Sequence, residues 1–589
     1  MLRSTFVPLA VLALILAGCG QNTPSDSDTS ATTEQSAEDS ARGGTLRVVG
    51  TDDIDHLDPT MVGLVVTNNL TRTVSRQLVS YGASNDQSEN VQPKADLAVD
   101  LPEVSDDGLT YTFTLRDNAM WDAPDGARAI TSSDVANGIE RICNPVGPSF
   151  TSSYFSVIAG FDDYCAGYDT DNPSATDVRD HILNDSITGI ATPDDTTVVF
   201  TLNERASDFI FMLSLANASP VPVEALEYEP DSPDYRSNYI SSGPYTVDEY
   251  VPDNHLFLKR NEAWVAESDP LRAANVDRIE ITFGVTPDNA IQQIRSDDAD
   301  VTMGISPTAA QIAQFQGADK DRVLTFPPGS TFFLWINSIS DNNDGALQDV
   351  EVRKALQYAV NKASLVQQLG GTDLGEPAIG IFGSGVVGYS SNDLYPTDGS
   401  AGDPAKTREL LDAAGIGQLP LKLAYRADNA VEPSMAQIIQ ENLAQAGVDV
   451  ELVPIPGSDF YPNFMMQHEN GAEGAWDLAL CGWSPDWAGG AARSVFQPQF
   501  TYDGLTEQGY NYVDYDSATA NDLAAQALSA ATIEESAELW AQVSDSVMAD
   551  APVLPLYTKT VALFYGPSVG NFQVFALSEA GDWTNLTVV

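Results

Sequence analysis

The sequence predicts an α/β protein of two or three lobes, with a β-rich segment set into its first half. Three observations carry that reading. The chain has 589 residues, more than one compact core ordinarily serves. Through the first half, apolar residues alternate with polar ones at the period of half-buried strands. In the second half, helical faces bounded by Gly and Pro alternate with short apolar runs, the pattern of α/β organisation. Hydrophobic residues make up 43% of the chain, enough to build such cores and to exclude bulk disorder.

The N-terminus comes first. Arg3 supplies a short positive region, and Phe6 to Ala17 is almost unbroken apolar sequence. That run is shorter than the roughly 20 residues a bilayer-spanning helix needs, and it suits a signal peptide. It ends in Leu16-Ala17-Gly18-Cys19, the pattern of a bacterial lipobox, in which the Cys thiol takes the lipid. Residues 1–18 are therefore expected to be a lipoprotein signal peptide and Cys19 the lipidation site. Residues 19–42, rich in Ser, Thr, Asp, Glu and Gln, read as a flexible acidic tether. The rest of the chain is expected at the extracytoplasmic face of the cell membrane, held there by lipid.

The folded body should begin at Gly43-Gly44, with a strand through Leu46, Val48 and Val49. Leu109, Tyr111, Phe113 and Leu115 alternate with Thr residues as a half-buried strand. Val198, Phe200 and Leu202 repeat the pattern, as do Ile279, Ile281 and Phe283. Thr131-Ser132-Ser133-Asp134 reads as a capping box opening a helix to about Ile142. Val352, Ala355, Leu356, Ala359, Ala363 and Val366 fall on one helical face, which predicts a single helix stopped by Gly370-Gly371. Asp403-Pro404 starts the next helix and Gly415 ends it; another runs from about Pro433 to Ala446, closed by Gly447. Val448, Val450 and Leu452 then alternate as a strand, and Thr532 with Glu535 caps a last long helix.

Charge and chemistry narrow the function. There are 84 acidic against 28 basic residues, a formal net of -56. So negative a surface repels nucleic acid and anionic lipid, and either attracts cationic solutes or reflects adaptation to salt. Cys143 and Cys165 stand 22 positions apart and are disulfide candidates in an oxidising compartment, whereas Cys481 lies in an apolar run as a buried thiol. The four His are scattered and form no metal spacing. No Gly-x-Ser-x-Gly elbow and no Walker Lys occur. The Gly383 to Gly388 match to GxGxxG lacks a preceding strand, and the Asp341 to Gly345 run has its Gly one position early for a calcium loop. No catalytic residue, metal or cofactor is expected.

Several segments, taken in order, resemble one family. They are Gly43-Gly44-Thr45-Leu46-Arg47-Val48 with Leu57-Asp58-Pro59, Asp107 to Arg116 with Trp121, and Gly243-Pro244-Tyr245 with Lys259-Arg260-Asn261-Glu262 and Trp264. Val352 to Val360, Asp403 to Gly415 and Gly482-Trp483-Ser484-Pro485-Asp486-Trp487 follow. Across about residues 43 to 565 the chain is similar to the peptide/nickel-type (family 5) extracellular solute-binding proteins of ABC transporters. The resemblance implies an α/β, two-lobe periplasmic-binding-protein-like clamp (type II) with an additional β-rich inserted domain. Mapped here, lobe I takes 43–80, 189–327 and 560–589, the insert 81–188, and lobe II 328–559. It implies a monomer that captures a peptide, or another small solute such as an oligosaccharide or chelated nickel, and delivers it to an ABC permease and ATPase complex. An exported hydrolase is the remaining alternative. The resemblance also implies that Asp486 pairs with the ligand's terminal ammonium, with Trp483, Trp487 and Ser484 beside it; Val62 and Gly63, in the loop after Leu57-Asp58-Pro59, are cleft candidates by position alone. The stretch Ala488 to Ala492 departs from the family by lacking an Asn/Asp-Pro.

Overall fold

The computed structural model describes residues 42–589 apart from 148, 169–172, 328, 502–508, 577 and 579. The expected signal peptide, Cys19 and nearly all of the tether lie outside the described residues. Among those described, no helix is long and apolar enough to cross a membrane.

Alternating apolar residues build the first sheet. Its strand order is Tyr245–Val251, His255–Arg260, Arg278–Thr282, Thr45–Gly50 and Val301–Met303, the last three mutually parallel. Leu46, Val48, Leu256, Leu258, Ile279 and Ile281 all point into one core, closed by Trp583 from the C-terminus. The second sheet has six strands, in the order Gly375–Pro377, Val553–Lys559, Thr331–Ile336, Leu478–Trp483, Leu421–Arg426 and Val450–Ile455. Helices Pro404–Ala413 and Glu432–Gln445 bury Leu411, Met435, Ile439 and Leu443 against it.

Two expectations are corrected. The single helix drawn through Val352 to Val366 is two, Val350–Leu356 and Lys362–Leu369. Asn361 breaks it: its side chain accepts the Ser364 N–H at 2.9 Å and caps a new helix, a competition that apolar periodicity does not register. The insert also reaches beyond residue 188. Strands Ile190–Asp194 and Thr197–Thr201 complete a four-stranded sheet with Glu103–Val104 and Thr110–Thr114. Alternation at Val198 and Phe200 marks a strand but does not name its partner. Within the insert, Cys143 and Cys165 form a disulfide with Cα atoms 5.5 Å apart.

The two large sheets are joined by neighbouring crossings. Val323–Phe326 pairs antiparallel with Val561–Phe564, and beyond a short gap Thr331–Ile336 pairs antiparallel with Val553–Lys559. The chain thus passes from one sheet to the other between Phe326 and Thr331, and again between Lys559 and Val561.

The Leu57-Asp58-Pro59 motif ties the first lobe to the insert. Asp58 accepts the Thr60 N–H at 3.1 Å, and its other oxygen takes Arg141 Nε at 3.0 Å and Nη2 at 2.8 Å. Both side chains are removed from water, so neither charge tolerates loss of the other. Arg141→Ala is expected to cost about 3–5 kcal/mol in urea unfolding, with part recovered in Arg141→Ala/Asp58→Asn. A loss below about 1 kcal/mol would contradict this role.

Candidate ligand-binding site

The site begins with strand Leu478–Trp483, held centrally between Thr331–Ile336 and Leu421–Arg426. Gly482 is required there, because a Cβ would come within 2.8 Å of the Thr331 carbonyl and the Phe332 ring. Just beyond the strand, Pro485 has no N–H to donate to a ladder, and helix Ala492–Phe500 catches the departing loop. Ser494 Oγ accepts the Asp486 N–H at 3.0 Å, and the Ser494 carbonyl accepts Trp483 Nε1–H at 2.8 Å. Tyr154, from the insert, donates its hydroxyl to Asp486 Oδ2.

Gly482, Trp483, Pro485 and Asp486 wall a cavity of about 570 Å³ shared by both lobes and the insert. On the second-lobe side stand Trp483, Ser484, Asp486 and Tyr510, the Trp483 and Tyr510 rings edge-on at 4.8 Å. Ser484 is exposed and shares a 2.8 Å hydrogen bond with Ser330. Across from them are Val62, Gly63 and Leu64, with Asp55 beneath and Phe150 at the rim. Trp487 takes a different position. It is 0% exposed, donates to the Gly490 carbonyl at 2.8 Å and packs edge-on against Tyr154 at 4.9 Å, behind the cavity and not on its wall. The cavity therefore brings together Asp486, Trp483, Ser484, Val62 and Gly63, while Trp487 buttresses Tyr154. Tyr154, Tyr510, Asp55 and Phe150 lie in no motif; Tyr154 meets Asp486 across 332 positions of sequence, a separation no local pattern spans. A larger groove of about 730 Å³ runs along strand Leu421–Arg426 and outer strand Val450–Ile455 and holds none of these residues.

Asp486 is electrostatically isolated. Half-buried at the cavity wall, it has no ion-pair partner among the described residues. Burial pushes its carboxyl up to about 7, against the opposing hydrogen bond from Tyr154. Burial and the Asp486 charge together raise the Tyr510 hydroxyl as well. Arg493, next to Ser494, is buried against Asp208 at 2.9 Å. The four His are similarly committed one by one to acids, at Asp231, Asp185, Glu249 and Asp514.

The raised carboxyl has a stability consequence. Above pH 7 the folded state carries an ionised, poorly solvated Asp486; between about pH 4 and 7 it holds a proton that the unfolded chain has released. Stability from this group is therefore greatest at low pH and falls as pH rises through about 7. Asp486→Asn keeps an acceptor for Tyr154 and is expected to stabilise the ligand-free protein by about 2 kcal/mol at pH 8. That gain should fade towards pH 4 in thermal melts; a variant less stable than the parent at pH 8 would contradict it.

The family profile of bacterial extracellular solute-binding proteins, family 5 middle, matches residues 92–493. The periplasmic oligopeptide-binding protein OppA of Salmonella typhimurium is 25% identical over 542 residues, covering 88% of each chain. Di/tripeptide-binding protein 1 of Pseudomonas aeruginosa is 24% identical, covering 81% of this chain and 82% of its own. Among solved structures, the clavulanic acid biosynthesis oligopeptide binding protein 2 superimposes with a TM-score of 0.79 at 26% identity, covering 93% of this chain and 96% of that one. The two lobes, the additional β-rich domain and this match over most of the chain make it a member of the bacterial extracellular solute-binding proteins of family 5.

Proposed function

We propose that this protein is the lipid-anchored, extracytoplasmic solute-binding component of an ABC importer, capturing peptides between its lobes and presenting them to a permease. One observation carries the reading: a cavity-facing carboxylate, Asp486, that lacks a cation of its own. A ligand's terminal ammonium supplies that missing charge, in a charge-assisted hydrogen bond that strengthens as water leaves. Trp483 and Tyr510 offer rigid aromatic surface beside it. A cavity of about 570 Å³ suits a short peptide or a solute of similar size. The paired crossings between Phe326 and Thr331 and between Lys559 and Val561 suit hinge motion, since two adjacent extended segments can flex while each sheet stays intact. Ligand contacts to both lobes would then favour the closed form, because only differential affinity shifts such an equilibrium. Anchoring at Cys19 fits capture at the membrane surface.

Native mass spectrometry of residues 43–589, purified without refolding, tests the reading. A ladder of bound masses equal to sums of amino-acid residues is expected. Asp486→Ala should weaken titrated peptide by about 30-fold or more, the effect of removing one member of a buried charge pair. A single retained mass that fits no amino-acid sum would overturn the peptide assignment.

A further inference from the structure

The cavity is unbalanced in charge. Two carboxylates, Asp486 and Asp55, lie on its wall, and no Lys, Arg or His does so among the described residues. Residues 148, 169–172, 328, 502–508, 577 and 579 contain none either, by sequence. The guanidinium groups of the surrounding shell are already matched: Arg493 with Asp208, Arg236 with Asp231, Arg141 with Asp58 and Arg72 with Asp582.

At the nearest helix start the preceding loop is already engaged. A helix start with free N–H groups is the usual alternative receptor for a carboxylate. Helix Thr67–Val74 does begin at the cavity, after the Gly63-Leu64 loop. Here that loop is filled from within. Asp55 Oδ2 accepts the Gly63 N–H at 2.7 Å and the Leu64 N–H at 2.8 Å, and its Oδ1 accepts the Thr67 hydroxyl at 2.5 Å. Asp55 thus takes the Gly63 and Leu64 N–H groups of this loop for itself, and adds negative charge of its own.

We propose that this site selects net-positive ligands, engaging one cationic end at Asp486 and providing no receptor for a ligand carboxylate. The inference rests on the peptide-capture reading and specifies its substrate class: peptides bearing basic side chains, whose C-terminal acid projects out of the cavity or is masked. Zwitterionic dipeptides and tripeptides enclosed at both ends are poor ligands, because their carboxylate would be desolvated beside Asp55 without a partner. The acidity of the whole molecule, with a net charge of -56, acts in the same direction by drawing cations toward the cleft.

Calorimetric titration of the intact folded protein with trialanine, N-acetyl-trialanine, trialanine amide, spermidine and succinate tests the proposal. The amide is expected to bind several-fold tighter than the free peptide, while acetylation costs about 30-fold or more, the loss of a buried charge partner. Equal or weaker binding on amidation, or any saturable binding of succinate, overturns the charge inference and leaves peptide capture standing. Spermidine bound with all three peptides silent overturns peptide capture and keeps the charge inference. Silence from every cationic probe counts against the charge inference.

Discussion

A carboxylate taken partly out of water with no cation beside it is unfavourable to the fold that holds it. Asp486 is in that condition, and the surrounding architecture maintains it there. Its backbone is fixed by Ser494 and its side chain by the Tyr154 hydroxyl, so turning the carboxylate outward breaks the Tyr154 contact. Arg493, next to Ser494, is ion-paired with Asp208. Three separate parts of the chain meet to keep the carboxyl unsatisfied: the strand carrying Trp483, the insert carrying Tyr154, and the first-lobe loop at Val62 and Gly63. Folding leaves a charge open and binding can close it, which ties affinity to an incomplete native state.

Most of the family motifs serve to hold that arrangement and do not touch the cavity. Asp58 and Arg141 pin the first lobe to the insert. Gly243 leaves no room for a Cβ, which would overlap the Thr73 carbonyl, and Asn261 donates to the Gly243 carbonyl at 2.9 Å. Arg353 donates to the Asp550 carbonyl and so satisfies the C-terminus of helix Ile533–Asp550. Asp403 caps helix Pro404–Ala413 by accepting the Lys406 N–H. Such contacts position strands and helices to within the tolerance that a binding cavity needs.

How much of this was legible in the sequence depends on the range of each signal. Capping at Thr131, Asp403 and Thr532 and termination at Gly415 and Gly447 are local, and the helices start and stop accordingly. The break at Asn361 was hidden because helical periodicity continues through it on both sides. The insert's true extent was hidden because partners of a strand are set by tertiary packing. At the site, the Gly-Trp-x-x-Asp motif identified the second-lobe wall, but its second tryptophan, Trp487, faces the core. Tyr154, Tyr510 and Asp55 come from elements with no local mark, and only folding brings them beside Asp486.

The central claim is that ligand binding supplies the missing cation at Asp486. If so, a cationic ligand must drive off the proton that this carboxyl holds in the empty site below about pH 7. Calorimetry at pH 6 in buffers of different ionisation enthalpy measures that proton directly. The account requires close to one proton released for each ligand bound, through the carboxyl's return to the ionised form. Binding with no proton exchange at pH 6 would mean that Asp486 is already ionised when empty or does not meet the ligand's charge, and would contradict it.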